Sequence, residues 1–72
     1  MMEHILKSSL EQGSIITIIY AKENVITKRN ICVLGIDSTH VKAYCYLRGQ
    51  NRVFKKENIL AAEYCRKKAY IE

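Results

Sequence analysis

From Ser14 onward the apolar residues of this chain recur at every second position, and that period constrains the fold more than any other feature. Ile15 to Lys22 is rich in β-branched residues and reads as a strand. Ala21 to Asn24 supplies a polar turn, after which Val25 to Ile36 resumes with Thr27, Arg29, Ile31 and Val33 alternating against Ile26, Lys28, Asn30, Cys32 and Leu34. The two segments therefore form a hairpin. Ile15-Ile16 and Ile18-Ile19 place apolar groups on both faces of the first strand, so both faces should be covered. A small barrel with a helix over one opening meets that requirement.

Asp37-Ser38-Thr39 follows as a second turn of short polar side chains that can bond nearby backbone. Val41 to Arg48 reads as a third strand and Arg52 to Lys55 as a fourth, joined through Gly49-Gln50-Asn51, where glycine reaches positive φ without steric cost and asparagine tolerates it. Val41, Ala43, Cys45 and Leu47 point one way, toward the core. Lys42, Tyr44, Tyr46 and Arg48 point the other way and make a polar, aromatic face. Arg48 and Arg52 flank the turn. Two guanidiniums held close together call for solvent or an anionic partner, so the turn is a candidate anion site.

The two ends of the chain read differently. Met2 to Gln12 carries Met2, Ile5, Leu6, Ser9 and Leu10 along one side at three-to-four spacing, with Gly13 as a stop, which predicts a short amphipathic helix. About three turns do not hold together alone in water, so the stripe must pack on the sheet. Lys56-Glu57-Asn58 predicts a single helical turn, and Ile59 to Tyr64 a fifth strand. A helix is the competing reading there, because Ile59-Leu60-Ala61-Ala62-Glu63-Tyr64-Cys65-Arg66-Lys67 has good helix propensity. Residues 66–72 are expected to form a flexible end.

A chain of 72 residues makes one small domain with a thin core, burying roughly 60% of the surface that its unfolded form exposes. Association with a second chain is a reasonable expectation at this size. Cys32, Cys45 and Cys65 form no CxxC pair, and His4 and His40 lie far apart, so neither a metal site nor a cofactor is expected. An odd number of cysteines suits a reducing cytoplasm. No apolar run approaches the ~20 residues of a membrane-spanning helix. The net charge of +5 is uneven: residues 1–36 hold four basic and three acidic groups, and residues 37–72 hold eight and four. Such asymmetry favours anionic partners.

With these elements in place, the sequence resembles the WYL domain, an SH3-like or Sm-like small β-barrel family found mostly in bacterial transcription regulators. The matching pieces are Ile18-Ile19-Tyr20, Thr27-Lys28-Arg29-Asn30-Ile31, Leu34-Gly35-Ile36, Ala43-Tyr44-Cys45, Arg48-Gly49, Arg52-Val53-Phe54 and Ile59, within residues 15–64. The chain departs from the family at the naming tripeptide, where it has Thr39-His40-Val41. It also departs at Val33 in place of a proline and at Asn58 in place of an arginine. The resemblance thus identifies a divergent, stand-alone relative, mainly β, with a five-stranded SH3-like or Sm-like barrel over residues 14–64 and a helix over 2–12. It implies a ligand-sensing role in transcription regulation, and it makes Tyr20, Arg29, Tyr44, Arg48 and Arg52 the positions to examine. Family regulators carry an N-terminal helix-turn-helix; none fits before the first strand, so the chain is not expected to read duplex DNA in a major groove.

Two functions follow. The first is a non-enzymatic module that binds an anionic ligand, single-stranded nucleic acid or a nucleotide, with arginines on phosphate and Tyr44 or Tyr46 stacking on a base. The second is an interaction module, a homodimer or a partner of a separate DNA-binding protein, built on exposed strand edges. Catalysis is not expected: no Ser/His/Asp or Cys/His set is evident, and His40 and Cys45 differ by five within one strand and so face opposite sides.

Overall fold

The computed structural model describes residues 2–65. The segment 66–72, expected to be flexible, lies outside them. The described chain runs α1 (Met2–Gln12), β1 (Ile15–Lys22), β2 (Val25–Ile36), β3 (His40–Cys45), β4 (Gln50–Lys55), a 3-10 turn (Lys56–Asn58) and β5 (Ile59–Tyr64). All strand pairs are antiparallel and form one five-stranded sheet in the order β4-β3-β2-β1-β5. This is the small barrel-like, mainly β arrangement that the pattern predicted. The fifth segment is a strand, which settles the competition with helix in favour of pairing to β1.

The β1–β2 hairpin closes tighter than expected. Glu23 and Asn24 alone form its loop, both at positive φ (51° and 67°), and Lys22 pairs directly with Val25. Two successive left-handed residues match the right-handed twist of the flanking strands. Two bulges then bend the sheet on itself. Leu34 is the extra residue on β2 opposite β3, and Leu60 is the extra residue on β5 opposite β1. A bulge bends its strand and increases the local twist, which curls a flat ladder toward a barrel.

The core lies on the inner face: Ile16, Ile18 and Tyr20 of β1, Ile31 and Val33 of β2, Val41, Ala43 and Cys45 of β3, Phe54 of β4 and Ile59 of β5. Leu6 of α1 completes it, with Met2 and Ile5 packed alongside. Leu10 falls outside the buried stripe and is exposed. Gly13, at φ 69°, ends the helix by donating its N–H to Ser9 O at 2.8 Å.

Ser9 latches the helix to the sheet. The β1–β2 ladder ends at the Ile15–Cys32 pair, which leaves the next β2 amide, Val33 N–H, without a β1 partner. The buried Ser9 hydroxyl accepts from Val33 N–H at 3.0 Å and donates to Ser14 O at 2.6 Å. The outer face of β1, expected to be covered like the inner one, is covered only in part: Thr17 is buried and Ile19 half-buried, while Ile15 is exposed.

The β3–β4 hairpin corrects the expected boundaries. β3 ends at Cys45, not Arg48, and β4 begins at Gln50, which pairs with Cys45. The turn is Tyr46–Gly49, closed by Gly49 N–H donating to Cys45 O at 2.8 Å, with Gly49 at φ 69°. Leu47 therefore leaves the strand before its parity can bury it, and it is 61% exposed. Among the described residues no helix is long and apolar enough to cross a membrane, and no group of three or more His, Cys, Asp or Glu is placed to hold a metal ion.

Candidate anion-binding cleft

Strand parity decides which arginines meet. Arg29 lies two residues before Ile31 on β2, and Arg52 two before Phe54 on β4, so both start on the core-facing side of the sheet. A charged head on that side is tolerable only where the barrel opens. Arg48 comes from the β3–β4 turn. With Tyr20, Thr27 and Phe54, the three arginines line one cleft of about 320 Å³, of which no residue belongs to α1.

Arg29 is the fixed member. Its Nε–H donates to Thr27 Oγ1 at 3.1 Å and its Nη1 to Cys45 Sγ at 3.7 Å, while its guanidinium lies 5.8 Å from the centroid of the Phe54 ring. That ring is in turn held edge-on by Tyr20, with centroids 4.9 Å apart at 77°. Thr27 Oγ1 donates to Tyr20 O at 3.4 Å. A guanidinium has five N–H donors, so several remain to point into the cleft. Arg52 is half-buried and Arg48 exposed.

The cleft is strongly unbalanced in charge. Lys22, Arg29, Arg48 and Arg52 line it against one carboxylate, Glu23. Among the described residues the ion pair found is Lys56 Nζ with Glu3 Oε2 at 3.2 Å, elsewhere in the fold. None of the three guanidiniums thus has a carboxylate within salt-bridge reach among those residues. Hydrogen bonding also acts on the buried Cys45, whose Sγ accepts from Arg29 Nη1. Burial pushes its thiol up, but the backbone N–H of Arg48, the Arg29 side chain and the backbone N–H of Leu47 outweigh burial and hold it below the ordinary thiol value.

Of the five positions singled out in the sequence, the structure brings four together: Tyr20, Arg29, Arg48 and Arg52. Tyr44 is not among them. It projects from the outer face of β3, where its ring meets Tyr46 edge-on at 4.9 Å and 76°. Tyr20 is present as a wall, not as a stacking surface: it is 7% exposed and its hydroxyl accepts from Lys55 N–H at 3.2 Å. Arg48, expected on the outer face with Tyr44, reaches the inner cleft because the turn releases it from strand parity.

Three comparisons with known proteins bear on this arrangement. Among solved structures the chain is similar to the proteasome accessory factor B/C (PafBC) of Arthrobacter aurescens, with a TM-score of 0.76 and 20% identity over 90% of this chain. The likeness is one of fold. It supports a WYL-like fold for the chain, which spans 11% of the length of that structure. No protein-family model matches the chain, and no curated protein matches it.

Sequence reasoning missed Phe54, Thr27 and Glu23 as parts of the cleft. The first two had a readable signal: each lies two residues from an arginine on the same strand and so shares its face. Glu23 had none, because a turn residue has no parity.

Proposed function

We propose that this chain is a non-enzymatic, cytoplasmic regulatory module that binds a phosphate-bearing ligand, single-stranded nucleic acid or a nucleotide, in the arginine cleft. The observation that carries this reading is the convergence of Arg29, Arg48 and Arg52, from one strand, one turn and another strand, on a single cleft with one carboxylate. Arginine forks match phosphate oxygens bidentately, and hydrogen bonds to charged groups contribute about 1.5–3 kcal/mol each. Arg29 is braced before any ligand arrives, which reduces the ordering cost of binding.

Titration with short single-stranded oligonucleotides, nucleotides and inorganic pyrophosphate at several salt concentrations tests the proposal. Arg48→Ala and Arg52→Ala are the cleaner variants, because Arg29 also holds Thr27, Cys45 and Phe54 together. Each variant is expected to weaken binding about tenfold or more and to lower the salt slope for a single strand by about 0.7 for each phosphate no longer neutralised. Absence of binding at low salt by the intact chain, or unchanged affinity in both variants, refutes the reading.

A second reading, self-association, is favoured by the sheet order, which leaves β4 and β5 as edges with exposed Val53 and Leu60. Solution mass across the same salt series separates a dimer from a monomer.

A further inference from the structure

A second and larger cleft lies on the other side of the sheet from the arginines. It measures about 540 Å³, within the size range of small-ligand sites, and is lined by Thr17, Lys28, Asn30, Tyr46, Glu63 and Tyr64 among others. Its floor is a polar row across three strands. Thr17 of β1 pairs with Asn30 of β2 on one side and with Glu63 of β5 on the other. Thr17 is only 7% exposed, and its hydroxyl donates to Asn30 Oδ1 at 2.7 Å. That bond orients the Asn30 amide, leaving its Nδ2 as the donor offered to the cleft. Glu63 supplies an acceptor two strand spacings away, roughly 10 Å at the backbone. One planar ring with hydrogen bonds on both sides fills such a gap.

The walls are aromatic. Tyr46 and Tyr64 are 48% and 45% exposed. Tyr46 is pinned beside the row, because its backbone N–H donates to Asn30 O at 3.0 Å and its ring is braced edge-on by Tyr44. Unlike the arginine cleft, this one has balanced charge among the described residues, with Lys28 against Glu63. An exposed and braced Tyr46 ring, a donor and an acceptor on one floor, and balanced charge among the described residues describe a receptor for a neutral heteroaromatic ring.

We propose that this outer cleft is a nucleobase site, in which the base lies against Tyr46, accepts a hydrogen bond from Asn30 Nδ2 and donates an exocyclic N–H to the Glu63 carboxylate. The assignment stands on the outer-face geometry alone and does not depend on the arginine cleft.

Uncharged nucleosides test it. Adenosine and cytidine titrated into the full chain are expected to give saturable shifts of the Thr17, Asn30 and Tyr46 amide resonances. Loss of stacking in Tyr46→Ala weakens this binding about tenfold, while Tyr46→Phe retains it. Asn30→Asp keeps the acceptor for Thr17, removes the amide donor, and weakens binding to a similar degree. Both losing variants keep wild-type affinity for pyrophosphate, whereas Arg52→Ala loses pyrophosphate and keeps the nucleosides. The proposal falls if nucleosides leave those amides unmoved up to their solubility limit, or if Tyr46→Ala binds them within twofold of wild type. Nucleoside binding without pyrophosphate binding keeps the outer site and removes the arginine-cleft reading, so the two failures are distinguishable.

Discussion

Replacing Ser9 by alanine deletes one oxygen atom and tests how the helix is held. The side chain is fully buried, and its hydroxyl answers two backbone groups at once, Val33 N–H at 3.0 Å and Ser14 O at 2.6 Å. Neither has a rung to fall back on, since the β1–β2 ladder ends at Ile15–Cys32. In Ser9→Ala the buried Val33 N–H is stranded, at about 1–3 kcal/mol, while the half-exposed Ser14 O loses a hydrogen bond that water replaces, at about 0.5–1.5 kcal/mol. Alanine is the better helix former by about half a kcal/mol, which offsets a small part of this. The expected net loss is therefore about 1–4 kcal/mol. For a chain of this length that is a large share of a total stability on the order of 4–11 kcal/mol, and it lowers Tm by roughly 5–30 °C. Ser8→Ala is the control: it makes the same exchange one residue away, at a hydroxyl with no hydrogen-bond partner found among the described residues, and it is expected to be neutral or slightly stabilising. Chemical and thermal denaturation report the difference, and amide exchange at Val33 reports its cause. A Ser9→Ala loss below about 1 kcal/mol with Val33 still protected refutes the latch, and with it the claim that α1 is fixed through this hydroxyl.

Two further predictions concern the cleft and its rim. Because the native Cys45 thiol titrates below its ordinary value, the native state binds fewer protons than the unfolded one between the two values. Stability from Cys45 is then fully present above the ordinary thiol range and is lost as pH falls through the folded value. Ultraviolet thiolate titration in a Cys32→Ser, Cys65→Ser background reads this directly, and Arg29→Gln is expected to move the Cys45 titration upward; no movement removes Arg29 as a cause. At the β1–β2 turn, Glu23→Asn with Asn24→Gly supplies residues suited to two positive φ angles and is expected to raise stability by about 0.5–1 kcal/mol. The same change removes the carboxylate of the arginine cleft and so tightens pyrophosphate binding; weaker binding in this variant refutes the charge argument.

The period of two read out the strands because one face of each is buried, and parity carries that fact into the sequence. It placed β1 and β2 at Ile15–Lys22 and Val25–Ile36 and the core residues Val41, Ala43 and Cys45 on one face. It failed where backbone geometry breaks parity. A glycine at φ 69° ended β3 three residues early, exposing Leu47 and turning Arg48 inward. The bulges at Leu34 and Leu60 left no signal, since a leucine in a strand pattern reads as core whether or not it is paired. The same limit separated Tyr44 from the arginines. Its parity was legible, but that Arg29 and Arg52 occupy the core-facing side at an open end follows only from how far the sheet curls.

That curl explains why the arginine cleft and the tyrosine-lined cleft fall on opposite faces of so small a fold. The inner face owns two aromatic rings near the arginines, Tyr20 and Phe54, and both are consumed by packing, at 7% and 2% exposure. With so thin a core, neither can be released to a ligand without exposing the Ile18 and Ile59 layer behind it. The inner cleft is therefore rich in guanidinium and has no free ring. The outer face, which buries little besides Thr17, leaves Tyr46 open to solvent. The turn Tyr46–Gly49 is where the two surfaces touch: Tyr46 and Leu47 line the outer cleft and Arg48 the inner one. A strand crossing that turn meets a ring and a guanidinium two residues apart, and simultaneous engagement of both makes the second binding event intramolecular. An oligonucleotide gains from that linkage in a way that neither a nucleoside nor pyrophosphate can. The Tyr46–Gly49 turn, which the strand pattern of the sequence concealed, thus sets a ring of one cleft beside a guanidinium of the other.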